Sequence, residues 1–371
     1  MPVTALSIKP NPPAAGPKGR GTGRNPPNRF EATRTEVFDD GWERAGKVEE
    51  AAKPPTTLIR DATRRIITRN DSPDLGFETS VNPYRGCEHG CIYCFARPSH
   101  AYLGFSPGLD FETKIVFKPD AAKLLEKELS RPGYKPGVIV LGSNTDPYQP
   151  VERTLALTRG ILEVLERFGN PVGIVTKSAG VTRDKDILTR MAAQGLAKVH
   201  ISITTLDPVL ARAMEPRASS PARRLAAVAE LAQAGIPVGV MAAPMIPGLN
   251  DAELEAILAA AAAAGAANAH MTLLRLPHEL GALFTDWLQT HLPERAAHVL
   301  SLIRQTRAGR LNDSQFHSRF QGSGPYGALL TQRFVKAARR LGLDKPGRSL
   351  ELSRFRVPGG ADAETRQLTL F

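Results

Sequence analysis

All three cysteines of this 371-residue chain fall within eight residues, as Cys87, Cys91 and Cys94. An odd, clustered set is a poor disulfide framework and a good metal site. The segment reads Asn82-Pro-Tyr-Arg-Gly-Cys87-Glu-His-Gly-Cys91-Ile-Tyr-Cys94, so the thiolates are spaced C-x3-C-x2-C. A loop of that length can curl three sulfurs around three corners of an iron–sulfur cubane. Gly86 and Gly90 relieve crowding where the backbone approaches it. A [4Fe–4S] cluster usually has four cysteine ligands. The chain carries no fourth cysteine, which leaves one iron open to substrate or cofactor. Two blander readings compete. One is a structural zinc with His89 or another histidine as fourth ligand, although zinc favours closed sets and no second C-x2-C knuckle exists here. The other is three incidental core cysteines.

From about residue 79 the chain alternates strand and helix patterns. Strands are expected over Ser80–Tyr84, Val138–Gly142, Val172–Thr176, Val199–Thr204, Val238–Ala243 and Met271–Leu276. Helices are expected over Asp120–Leu129, Leu155–Phe168, Asp184–Gln194, Pro221–Ala234 and Asp251–Ala264, with Gly235 as a C-terminal stop. Strict alternation implies parallel strands with right-handed crossovers. Six units without a dinucleotide fingerprint point to an α/β fold, a partial (β/α)6 barrel over residues 71–277, with its chemistry at the C-terminal strand ends. In the fourth strand Val199, Ile201 and Ile203 alternate with His200, Ser202 and Thr204. The apolar set is expected to face the helices and the polar set the cavity.

Outside that span the pattern changes. Residues 1–70 are expected to form a basic, largely disordered arm, rich in Pro, Gly and charge over 1–55. Residues 278–350 are expected to form a helical basic extension, with helices over Leu283–Leu292, Glu294–Thr306 and Tyr326–Leu341. The last helix sets Leu329, Leu330 and Phe334 beside Arg333, Lys336, Arg339 and Arg340. Residues 351–371 are read as a flexible tail. The net charge is +11, and its excess sits at the two ends: residues 1–70 carry +5, residues 295–371 carry +9 and the middle carries −3. Such ends serve either as solubilising tails or, flanking a near-neutral core, as a frame expected for a polyanion such as nucleic acid. The apolar runs Ile236–Leu249 and Ala256–Ala267 are too short to span a bilayer. With no secretory pattern at the N-terminus, the expectation is a cytoplasmic protein without a membrane partner.

The C-x3-C-x2-C loop with an aromatic, Tyr93, before its last cysteine resembles the radical S-adenosylmethionine (SAM) superfamily. The longer string NPYRGCEHGCIYCFARP resembles the DNA repair photolyase-like branch, related to spore photoproduct lyase. The resemblance implies a [4Fe–4S] cluster on Cys87, Cys91 and Cys94, with SAM chelating the open iron. It also implies reductive cleavage to a 5′-deoxyadenosyl radical, an electron donor such as flavodoxin or ferredoxin, and DNA as the substrate. Substrates of RNA, protein or small-molecule type, and a non-catalytic iron–sulfur sensor that binds nucleic acid, are the rival readings.

The same resemblance directs attention to the strand ends. Ser143, Asn144, Thr145 and Asp146 stand where the superfamily often has a Gly-Gly-Glu run on the methionyl amine. By their own alternation Ser202 and Thr204 are expected beside the cofactor at the end of the fourth strand, and Lys177 and Ser178 end the third strand similarly, with Lys177 at the SAM carboxylate, at a substrate phosphate or simply solvated. Glu215, Arg217, Arg223 and Arg224 resemble family residues that bind the ribose and carboxylate, and a guanidinium fork suits a carboxylate. Spore photoproduct lyases typically use an additional cysteine as hydrogen donor. The cluster consumes every cysteine here, so a tyrosine such as Tyr102 or Tyr148 would have to serve. Finally, Gln367, Leu368, Leu370 and Phe371 resemble the Q-L-x-L-F peptide that docks bacterial repair proteins on the DNA sliding clamp.

Overall fold

A computed structural model describes residues 19–31 and 54–358. Its centre is a seven-stranded sheet. In chain order the ten strands are β1 (Thr57–Arg60), β2 (Ile67–Arg69), β3 (Thr79–Val81), β4 (Tyr84–Arg85), β5 (Lys114–Phe117), β6 (Ile139–Leu141), β7 (Val172–Thr176), β8 (Ala197–Ser202), β9 (Val238–Met245) and β10 (Asn268–Leu273). The sheet runs β10-β9-β8-β7-β6-β3-β2. Strands β3 and β6 to β10 pair in parallel with their sequence neighbours, and only β2 is antiparallel. This is the expected (β/α)6 partial barrel, open between β10 and β2. A separate sheet, β1-β5-β4, lies outside it.

Five long helices connect the parallel strands: α1 (Ala121–Leu129), α2 (Leu157–Phe168), α3 (Lys185–Ala193), α4 (Pro221–Gln233) and α5 (Leu254–Ala263). Their positions follow from local chemistry. In α2, Ile161, Leu162, Leu165 and Phe168 recur on one face and are buried. Full burial of each such side chain contributes ~1.5–3 kcal/mol. In α4, Ser220 caps the N-terminus by accepting from the Arg223 N–H, and Pro221 opens the first turn. Outward residues of β8, Val199 and Ile201, join the helices' apolar faces in one core.

The extension consists of α6 (Leu280–His291), α7 (Pro293–Gln305) and α8 (Gly324–Arg340). Phe284, Trp287, Val299 and Ile303 from α6 and α7 pack in one cluster with Ile92 and Tyr93 of the cysteine loop. The extension is therefore the back wall of that loop. Helix α8 packs through Leu330, Ala337 and Ala338, whereas Leu329, expected in the same stripe, is 49% exposed. Arg333 is turned onto Glu255 in a two-pronged contact of 2.8 and 2.6 Å, while Lys336, Arg339 and Arg340 stay in solvent.

The expectation of an arm without fixed structure over 1–70 is narrowed. Strands β1 and β2 join the two sheets, and residues 19–31 form a strap against the cysteine loop. Arg20 donates to the Glu112 carbonyl at 2.7 Å, and Ser106 donates to the Pro26 carbonyl at 2.6 Å. Arg24 pairs with Asp286 and Arg29 with Glu279 of the extension. The Gly21 Cα lies so close to the Gly90 carbonyl that a Cβ there would sit 1.8 Å from its oxygen. Only glycine permits that approach.

Candidate active site

Cys87, Cys91 and Cys94 line one cavity at the C-terminal ends of β6 to β8, with Ser143, Asn144, Thr145, Asp146, Lys177 and Ser202. Cys87 and Cys91 are buried and Cys94 is half-buried. Burial pushes the Cys91 thiol up to about 12, with nearby Glu215 adding to the effect, and pushes Cys87 up as well. These are neutral thiols until a metal displaces their protons. Among the described residues no three His, Cys, Asp or Glu side chains close around a point that would hold one ion. All three thiols line the one cavity, as three cysteine ligands of a cluster would.

The loop is held from two sides by buried charge pairs. On the first side Arg97 donates through Nε to the Cys91 carbonyl at 2.9 Å and through a terminal nitrogen to the Gly90 carbonyl at 3.1 Å. Its guanidinium pairs with Glu112 at 2.5 Å, and both side chains are fully buried. Glu112 also accepts from the Gly21 N–H of the strap at 2.8 Å. On the second side the Tyr93 hydroxyl donates to Glu215, which pairs with Arg224. Thr204 donates to Glu215 at 2.7 Å, and Arg224 donates to the Ser202 carbonyl at 3.0 Å. Burial works against the Glu215 charge, but Arg224 and Lys177 outweigh it and hold the carboxyl below its ordinary range.

A third contact ties the loop to the strand ends. His89 lies 3.3 Å from Asp146. Asp146 also accepts from the Thr176 hydroxyl at 2.7 Å and the Lys177 N–H at 2.8 Å. Burial alone would push the Asp146 carboxyl up. His89 and these hydrogen bonds prevail and leave it at about 2. Gly142 begins this turn at φ +91°, where a Cβ would meet the Val175 carbonyl oxygen at 2.0 Å.

The residues singled out in the sequence thus separate into groups. Ser143, Asn144, Lys177 and Ser202 face the cavity. The Lys177 ammonium lies 5.7 Å from the Tyr93 ring centroid and, among the described residues, pairs with no carboxylate. Thr145 and Asp146 also line the cavity, but their oxygens bind the Tyr84 carbonyl, Thr176 and Lys177. Tyr93, Thr204, Glu215 and Arg224 form the brace behind the loop instead of a ligand surface. Arg217 pairs with Glu88 at 2.8 Å on the loop's outer side. Ser178 and Arg223 belong to a neighbouring depression, where Ser178 accepts from the Gly180 N–H.

The two tyrosines expected as hydrogen donors are elsewhere. Tyr148 is buried in the neighbouring depression and donates to Asp184 at 3.1 Å. Tyr102 is 72% exposed on the 3-10 helix Arg97–Leu103. The peptide Gln367, Leu368, Leu370 and Phe371 lies outside the described residues. Sequence reading passed over the Arg97–Glu112 pair, Asn82 and Gln149. Asn82 donates to Ser143 at 3.0 Å and accepts from the Asn144 N–H at 3.1 Å. Gln149 accepts from the Glu88 N–H at 2.9 Å. Asn82 and Arg97 both stand inside the NPYRGCEHGCIYCFARP string, and that was their available signal.

Comparison with known proteins agrees with this geometry. Residues 81–261 match the radical SAM superfamily profile. An uncharacterized protein of Mycobacterium tuberculosis (strain H37Rv) is 40% identical over 274 residues, covering 71% of this chain and 80% of its own. An uncharacterized protein of Methanocaldococcus jannaschii is 28% identical over 196 residues, covering 53% and 70%. Among solved structures, spore photoproduct lyase complexed with dinucleoside spore photoproduct is similar in fold, with TM-score 0.54 and 17% identity over 76% of this chain and 79% of that one. A single-residue mutant of the lyase gives TM-score 0.56 and 18% identity over 80% and 83%. The matched span runs from β3 into α5, the part of the chain that builds the three-thiol cavity, and the chain belongs to the radical SAM superfamily, whose members work with a [4Fe–4S] cluster and SAM.

Proposed function

We propose that this protein is a radical SAM enzyme that acts on DNA in repair. The observation that carries the DNA reading is the depression beside the thiol cavity. It lies across the β7 loop and is lined by Arg153, Arg183 and Arg223 together with Ser178, Thr182 and Ser219. Arg183 pairs with Glu152 and Asp184, whereas Arg153 and Arg223 are exposed and, among the described residues, in no ion pair. Guanidinium and hydroxyl groups around one hollow suit phosphate oxygens. The likeness in fold to spore photoproduct lyase complexed with dinucleoside spore photoproduct is in keeping with the same reading.

Within the cavity Cys87, Cys91 and Cys94 would hold the cluster. Lys177 offers its ammonium to a carboxylate of SAM, and Ser143, Asn144 and Ser202 offer polar oxygens and an amide to its amine and ribose. When bound, cluster and SAM supply one-electron reduction and hydrogen abstraction. The braces keep the loop in place, and the apolar wall of the extension behind it limits water. An electron donor such as flavodoxin or ferredoxin completes the scheme. The C-terminal peptide Gln367-Leu-Thr-Leu-Phe371 would dock on a bacterial sliding clamp and deliver the enzyme to duplex.

The test is anaerobic reconstitution followed by assay of 5′-deoxyadenosine with and without irradiated DNA. About four irons per chain and DNA-stimulated SAM cleavage are expected. Stoichiometric zinc without sulfide would overturn the cluster. Cleavage without any DNA binding at low salt would overturn the substrate. Titration of purified clamp with the intact chain and with a chain ending at Arg366 tests the peptide. Equal binding by both removes its role.

A further inference from the structure

We propose that the strap and the cysteine loop together form a stacking platform for an unpaired nucleobase, beside the mouth of the thiol cavity. The proposal rests on the nucleic-acid reading above and adds to it a site and a strand state. Among the described residues four aromatic side chains are exposed: Phe30, Phe95, Tyr102 and Phe316. Three of these four lie on the cysteine loop, on the 3-10 helix that follows it, and on the strap that contacts that helix through Arg29 and the Pro98 carbonyl. Phe95 follows Cys94, is 53% exposed and lines the cavity itself. Tyr102 is on the 3-10 helix that begins two residues later, and Phe30 is on the strap.

Phe30 and Tyr102 meet with ring centroids 5.2 Å apart at 46°. They do so without hiding from water, being 57% and 72% exposed. The Arg29 guanidinium lies 4.6 Å from the Phe30 centroid and 5.1 Å from that of Tyr102. It is held there by Glu279 at 3.2 Å and by the Pro98 carbonyl at 3.3 Å. The backbone is fixed as well: the Arg29 N–H donates to Glu279 at 3.1 Å and the Phe30 N–H to Asn28 at 2.9 Å. A cation–π contact at an exposed site contributes little, and it leaves much of each ring in water. A pinned arginine among open ring faces is what a sequence-tolerant strand-binding surface uses, because every base has a π-face. A protein partner would be met by exposed aliphatic residues too. The exposed Leu and Val side chains, such as Leu58, Val209 and Leu329, belong to other elements.

Tyr102 is thereby assigned to binding through its ring and not to hydrogen transfer through its hydroxyl. The position explains how a base could be presented: a base drawn out of its duplex would stack here while its neighbour enters the cavity.

The test uses the full-length reconstituted protein, a fluorescent oligothymidylate and a duplex of equal length. Anisotropy is read at one low salt concentration. Tyr102→Ala and Phe30→Ala should each weaken single-strand binding about 5- to 100-fold. Tyr102→Phe and Tyr102→Trp should keep wild-type affinity, since the ring remains. Duplex binding, carried by phosphates, should change less than about threefold. The visible absorbance of the cluster confirms that each variant is folded and loaded. Two results overturn the platform alone: unchanged single-strand affinity in both alanine variants, or a Tyr102→Phe protein as weak as Tyr102→Ala. Failure of the wild type to bind either oligonucleotide overturns the nucleic-acid reading and the platform with it.

Discussion

The two sides of the thiol cavity treat charge in opposite ways. Behind the cysteine loop, Arg97 meets Glu112 and Arg224 meets Glu215, all four buried and paired. In front of it, among the described residues, Lys177 has no carboxylate partner and Arg153 and Arg223 in the next hollow are in no ion pair. A buried charge without a partner is too costly to keep, so pairing behind the loop is required. A cation left without a protein partner at a cavity is available to a ligand. The contrast separates residues that build the site from residues that use it, which residue type alone does not.

The comparison can be broken by removing one charge from each side. Glu215→Ala leaves Arg224 buried and alone and should cost ~3–5 kcal/mol of stability, measured by denaturant unfolding of the apo chain. An intact midpoint would mean that the pair braces nothing. A buried group kept neutral gives the next largest effect. Burial, with His270 and Lys198 nearby, lowers His200 from 6.5 to about 4. The unfolded chain therefore takes up a proton that the folded chain refuses. Stability present above about pH 6.5 should fall as the pH drops to 4, by at most about 3 kcal/mol from this residue. His100 is lowered in the same way and adds to the slope. His200→Gln should flatten its part, and an unchanged unfolding profile across that window would refute the assignment.

On the ligand side the expected pattern reverses. Lys177→Met should cost less stability than Glu215→Ala, because Arg224 still pairs with Glu215. It should raise the SAM dissociation constant by ~10- to 100-fold, the ~1.5–3 kcal/mol of a charged hydrogen bond. Equilibrium dialysis with labelled SAM reads this directly, and unchanged affinity would move the carboxylate site elsewhere. The smallest effect is at α8. Glutamine at Lys336, Arg339 and Arg340 should lower the salt slope of DNA binding by about one counterion for each phosphate that is no longer neutralised. Arg333→Gln should leave the slope alone and cost ~0–1 kcal/mol, because that cation already belongs to Glu255. Equal slopes for both proteins would remove α8 from the DNA surface.

Much of the fold is legible in the sequence. Strand Val172–Thr176 is found as expected, and the other five parallel strands shift by a few residues at their ends. Helices such as Pro221–Gln233 announce themselves through Ser220, Pro221 and Gly235, which act on their own backbone neighbours. The cysteine loop was legible for the same reason, since its ligands lie within one turn-sized stretch. Local chemistry and short-range periodicity therefore determined the barrel, its active end and its metal loop.

Which polar residues remain available at that end was decided by the tertiary structure alone. Glu215 and Arg224 looked like ligand-binding residues, yet they face each other once α4 packs beside β8. Tyr148 turns to Asp184 and Tyr102 turns outward. The strap was hidden because a Pro- and Gly-rich stretch has no periodic signal, and its order comes from Glu112, Asp286 and Glu279 far along the chain. A charged side chain can pair with any opposite charge that folding brings within reach. Its partner is a property of three-dimensional packing, whereas a strand, a helix cap or a closely spaced ligand triplet is a property of its immediate neighbours.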